Sequence, residues 1–178
     1  MTMIYTEATP NPNALKFMPD VPVTTGGTLD VRSIDQSNGI HLIEDLFGVP
    51  HVVGVYIGPD FVTITKNSED WSDITNVVLG IIADNIKQPI DLGNTNFETD
   101  RDTSDVVDQI RELLDSRVRP AVANDGGDIV FRDYKDGIVY LELQGSCSGC
   151  PSSTATLRHG VERLIQHYIP EVIEVRSI

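Results

Sequence analysis

Hydrophobic positions change period several times along this chain, and the changes mark its elements. Short apolar runs over 4–7 and 14–18 predict two strands flanking Thr9-Pro10-Asn11-Pro12-Asn13, where two prolines restrict the backbone and remove two donors. Asn38 is placed to cap a short helix presenting Leu42, Ile43, Leu46 and Phe47, which Gly48 and Pro50 stop. Residues 52–57 and 61–66 read as strands around Gly58-Pro59-Asp60, the strongest hairpin signal in this half. Trp71 and Ser72 lead into a helix with Ile74, Val77, Val78, Ile81, Ile82 and Ile86 on one apolar face. The predicted order is ββαββα.

A second block follows the polar run 93–102, which reads as a linker. Ser104 would cap a helix carrying Val106, Val107, Ile110, Leu113, Leu114 and Val118 on one face, ended by Pro120. The loop Asn124-Asp125-Gly126-Gly127-Asp128 then leads into a strand over 129–134, and Asp136-Gly137 turns it back on a partner with Val139, Leu141 and Leu143 on one face. A helix over 152–168 faces a core with Leu157, Val161, Leu164, Ile165 and Tyr168, and a last strand follows over 171–176. The expected fold class is α+β in two small domains: 1–92 as ββαββα, and 103–178 as αββαβ with a CxxC loop between strand and helix. There is no internal repeat.

Composition narrows the function classes. Of 178 residues 40% are hydrophobic, and the longest apolar stretch, near 77–83, is far short of the roughly 18 residues a spanning helix needs. The net charge of -14 splits into -9 over residues 1–98 and -5 over 99–178. Such a balance repels phosphate backbones and anionic lipid, so nucleic acid and membrane are excluded as expected partners. The opening MTMIYTEATPNPN has neither the basic and apolar regions of a signal peptide nor an Arg-rich amphipathic character, which sets the expectation of a cytoplasmic protein.

The chemistry is concentrated in one loop. The chain has two cysteines, Cys147 and Cys150, in Cys147-Ser148-Gly149-Cys150-Pro151-Ser152-Ser153 between a predicted strand and a predicted helix. A helix start favours thiolates, which serve disulfide exchange and soft-metal ligation equally, so spacing alone does not choose. Mere space-filling suits a CxxC poorly. A thioredoxin-like redox site would want a strand-helix-strand run around the motif and a preceding tryptophan, and this half offers neither. A closed metal site wants four ligands. His159 and His167 on the following helix are candidates to complete a mononuclear site, although helical histidines are more often plain surface residues. Two chains would supply four thiolates on exposed loops, an arrangement that suits a 4Fe-4S cluster at a two-fold interface.

These residues carry a resemblance. Arg119-Pro120, Asp125-Gly126-Gly127-Asp128, Gly137-Ile138-Val139, Leu141-Glu142-Leu143, the run from Gly145 through both cysteines to Ser153, and Gly160-Val161-Glu162 resemble the C-terminal domain of the NifU/Nfu family. The opening Thr6-Glu7-Ala8-Thr9-Pro10-Asn11-Pro12-Asn13-Ala14-Leu15-Lys16-Phe17, with the later run 57–66, is similar to the N-terminal domain of two-domain Nfu proteins. The resemblance implies an iron-sulfur scaffold or carrier, not an enzyme. It would hold a 4Fe-4S cluster between two protomers through Cys147 and Cys150, become a homodimer on loading, receive the cluster from an upstream donor and pass it to apo-protein clients. The first domain would then be a partner-binding module. The chain lacks the additional cysteine-bearing domains of the nitrogen-fixation scaffold, so carriage is the expectation rather than assembly. A dithiol-disulfide oxidoreductase using the same pair is the alternative.

Other residues read as structural. Asp125, Asp128, Asp133 and Asp136 do not have EF-hand spacing, and Gly126-Gly127 is not followed by the GK[ST] of a phosphate loop. Arg158 is a weak candidate to offset cluster charge, and His41 and His51 read as incidental.

Overall fold

The computed structural model describes residues 2–68, 70–93, 105–149 and 151–178, without the side chains of 151–153. The chain divides into two compact units, Met1–Phe97 and Glu98–Ile178. Residues 94–102 of the expected linker, the expected cap Ser104, and Cys150 lie outside the described residues. The protein is of the α+β class, as expected.

In the first unit, β1 (Ile4–Ala8), β2 (Ala14–Pro19), β3 (Leu29–Val31), β4 (Val52–Ile57) and β5 (Val62–Lys66) form one antiparallel sheet in the order β1-β2-β5-β4-β3. Strand pairing sends Phe17, Val62, Ile64, Val55 and Ile57 into a core with Leu42, Ile43 and Leu46 of α1 (His41–Phe47) and Val78 and Ile82 of α2 (Thr75–Asn85). Glu7, Lys16, Thr63, Tyr56 and Asp30 are successive register partners across all five strands. Lys16 tolerates its burial there because its ammonium lies 3.7 Å from Glu7 and 4.7 Å above the Phe61 ring.

Three expectations for this unit change. β3 is additional, since three residues are too few to display a period. Asn38 does not cap α1: it turns at φ 51°, and the helix starts from Ile40 with no side-chain cap. Val77 is 51% exposed, so α2 packs through Ile74, Val78, Ile82 and Ile86, a narrower stripe than its apolar residues suggest.

In the second unit, α3 (Asp105–Leu113) runs into a π-helical turn at Leu114–Val118 and then α4 (Arg119–Asn124). The helix was expected to end at Pro120. It continues because the widened turn, closed by the Arg119 amide on the Leu114 carbonyl five residues back, resets the ladder just before the proline that cannot donate. β6 (Gly127–Lys135) and β7 (Ile138–Gly145) form a hairpin whose Asp136-Gly137 turn has φ of 54° and 79°, the pair of positive values a two-residue type I′ turn demands. After α5 (Pro151–Tyr168), β8 (Glu174–Ser177) adds parallel to β7. Ile110, Leu114, Val118, Ile129, Val139, Leu141, Val161 and Ile165 fill the core. Tyr168 is 48% exposed beneath the Arg117 guanidinium, and Ile169 and Val172 occupy the core in its place.

Candidate functional site

The cysteine loop lies where β7 ends and α5 begins. β7 delivers Gly145, and Pro151 opens α5 at a position where its missing N–H costs nothing. Between them, the Ser148 amide donates to the Gly145 carbonyl at 3.2 Å and the Thr154 hydroxyl donates to the Cys147 carbonyl at 3.3 Å. The near side of the loop is stitched to residues 125–128. The Ser146 amide donates to the Gly126 carbonyl at 3.2 Å, the Ser146 hydroxyl donates to the Asp125 carbonyl, and Gly127 is the register partner of Gly145.

Cys147 does not sit on an exposed loop as expected. It is 7% exposed and belongs to the core cluster that includes Ile129 and Val161. The reason is Gly127: a side chain there would enter the space of the Cys147 sulfur, so the glycine leaves the thiol a recess against the backbone. One face of the site is thus a rigid, desolvated wall. Cys150, the other half of the motif, is outside the described residues.

A carboxylate and a guanidinium anchor that wall. Asp128 is 4% exposed, and its carboxylate accepts from Arg119 Nε at 2.9 Å, Arg119 Nη2 at 2.8 Å and the Ile129 amide at 2.8 Å. Arg119 Nη1 also donates to Asp115 at 3.0 Å. Hydrogen bonding to Asp128, more than to Asp115, holds the Arg119 pKa above its already high ordinary value, so it stays charged wherever the protein is folded. In the sequence the two stand in separate motifs, Arg119-Pro120 and Asp125-Gly126-Gly127-Asp128, with nothing local to join them. Their signal was an arginine on a helix and an aspartate after a double glycine, nine positions apart.

The weaker candidates separate. Among the described residues no three His, Cys, Asp or Glu side chains gather as a metal site. Asp128 binds Arg119, while Asp133 accepts from the next backbone amide at 2.8 Å, as a strand-edge aspartate does. His167 makes an edge contact with Tyr168 at 5.0 Å, and His51 lies 3.0 Å from Asn67. Arg158 acts on Glu174 of β8, whose pKa is lowered first by hydrogen bonding to Arg176 and in smaller part by the Arg158 charge.

The sequence matches two family models in chain order: "Scaffold protein Nfu/NifU N terminal" over residues 4–88 and "NifU-like domain" over residues 110–176. The chain is also 40% identical to the human "NFU1 iron-sulfur cluster scaffold homolog, mitochondrial", over 98% of its own length and 71% of that protein. The chain belongs to the Nfu family of iron-sulfur cluster scaffold proteins. The Drosophila ananassae protein of the same description is 44% identical over 98% of this chain and 64% of its own, so this Nfu chain spans about two thirds of the length of the curated relatives it matches. Among solved structures, the solution structure of a NifU-like protein from Saccharomyces cerevisiae is similar at 27% identity and a TM-score of 0.47, covering 53% of this chain and 87% of that one. The cytoplasmic expectation is overturned by these relatives, which carry a mitochondrial designation in their names. Compartment was inferred from the character of the first residues, which describe only the segment they occupy.

Proposed function

We propose that this Nfu protein carries a 4Fe-4S cluster between two protomers, ligated by Cys147 and Cys150 of each, and delivers it to apo-proteins. The supporting observation is the thiol inventory. A cubane cluster takes one protein ligand at each of four irons, the chain has two cysteines in one CxxC, and no histidine or carboxylate set gathers elsewhere among the described residues. Two chains supply the four sulfurs. Delivery then requires only ligand exchange: client thiolates replace the carrier's one at a time and no electrons change hands. A site split between two chains opens by their separation, which suits release better than enclosure in one core. The unit 103–178 is proposed as the cluster-binding domain and 1–92 as a module that contacts clients or an upstream donor.

The dithiol-disulfide oxidoreductase alternative finds no support in the family match, whose members are described as iron-sulfur cluster scaffolds. Anaerobic reconstitution with ferrous iron and sulfide tests the proposal. The expected product contains four irons and four sulfides per two chains, and a chain that takes up no iron while cycling a Cys147–Cys150 disulfide would refute it.

A further inference from the structure

We propose that the Arg119–Asp128 ion pair is a positioning device that sets where the Cys147 sulfur stands in the cluster site. The inference rests on the reading of Cys147 as a ligand and adds two residues that act through the backbone beside it. Asp128 is the register partner of Gln144, and Gly127 beside it is the partner of Gly145. The carbonyl oxygen of Gln144 and the sulfur of Cys147 both occupy the space in which a Cβ on Gly127 would stand. Fixing the Asp128 carboxylate therefore fixes the backbone surface against which the sulfur rests. A carboxylate 4% exposed stays in that position only while it is paired, because an unpaired charge there would move toward water and take residues 127–128 with it.

The helix supplies the partner with an orientation of its own. The π-helical turn at Leu114–Val118 inserts one residue before Arg119, which turns the arginine relative to a plain α-helical continuation. Asp115, four residues earlier, holds the outer nitrogen at 3.0 Å while the inner edge of the guanidinium meets Asp128 through two bonds. That is a planar fork engaged on both sides, and a lysine point charge has no equivalent geometry.

The test uses the full chain. In a Cys150→Ala background Cys147 is the sole thiol, and its alkylation by iodoacetamide in the apo-protein reports the position of the sulfur without any cluster. Arg119→Gln, which removes the two charge-assisted hydrogen bonds to Asp128, should raise that rate by at least about tenfold. In the loaded two-cysteine protein, the same substitution should change the visible circular dichroism of the cluster and shorten its lifetime against a chelator. Arg119→Lys should recover the thermal midpoint further than it recovers the alkylation rate, which a purely structural ion pair would not do. Should Arg119→Gln fold poorly, Asp128→Asn keeps the side-chain size and should give the same rise in alkylation. Unchanged alkylation and an unchanged visible spectrum in a folded variant would overturn the positioning role. Failure of the ligand reading is separate: it would appear as Cys147→Ala retaining a full cluster, whatever the alkylation arm shows.

Discussion

Gly127 and Cys147 are in contact: a Cβ on Gly127 would stand 2.7 Å from the Cys147 sulfur and 2.7 Å from the Gln144 carbonyl oxygen. The carbonyl belongs to the hairpin backbone and cannot yield, so the thiol must. Gly127→Ala should destabilise the second unit by about 1–3 kcal/mol through overpacking. It should also displace the sulfur, lowering cluster yield. Chemical denaturation and iron content on one preparation check both, and an alanine variant with parental iron content and parental stability would show that the contact is dispensable.

Single substitution of either cysteine should abolish the cluster. With Cys147→Ala or Cys150→Ala, a pair of chains retains two thiolates for four irons. Cys147→Ala should leave a small cavity in the core that costs on the order of 1–2 kcal/mol, too little to unfold the domain. Far-ultraviolet circular dichroism should therefore be retained while the visible absorbance of the cluster is lost. A full complement of iron and sulfide in either variant would contradict the ligand assignment.

The strands of both hairpins, the amphipathic face of α3 and the cysteine loop were legible because each rests on local signals: period, a turn dipeptide, or a pair of cysteines. What was not legible depended on tertiary contacts. Ile74, Val77, Val78, Ile81, Ile82 and Ile86 form one apolar face in sequence, yet only contact with the sheet and α1 decides that Val77 faces water. Pro120 looked like a stop, and the π-helical turn that carries the helix past it has no sequence period of its own. The burial of Cys147 depends on a glycine twenty positions earlier that becomes its neighbour only when β6 pairs with β7. Arg119 and Asp128 meet only when α4 packs against the start of β6.

The second unit should hold the cluster without the first. The buried members of its core run from Ile110 to Val175, and the two cores share no residue. A fragment of residues 99–178 should therefore fold, with the modest stability of a domain of its size, and reconstitute with the same iron content per chain as the full protein. Transfer to at least some apo-protein recipients should slow. A folded fragment that binds no iron would place part of the site in the first unit.

Core truncation in the first unit gives the complementary expectation. Ile82 is fully buried on α2, so Ile82→Ala should cost about 2–5 kcal/mol in that unit. Below its unfolding transition the variant should still take up a full cluster. Loss of iron from a variant whose first unit remains folded would contradict the division of labour.

The central claim is that two chains share one cluster, and native mass spectrometry of the anaerobically reconstituted full-length chain measures it directly. The account predicts a loaded species with the mass of two chains plus four irons and four sulfides, which reverts to chain-sized species when a chelator removes the iron or when Cys147 is replaced. A four-iron cluster on a single chain would contradict it.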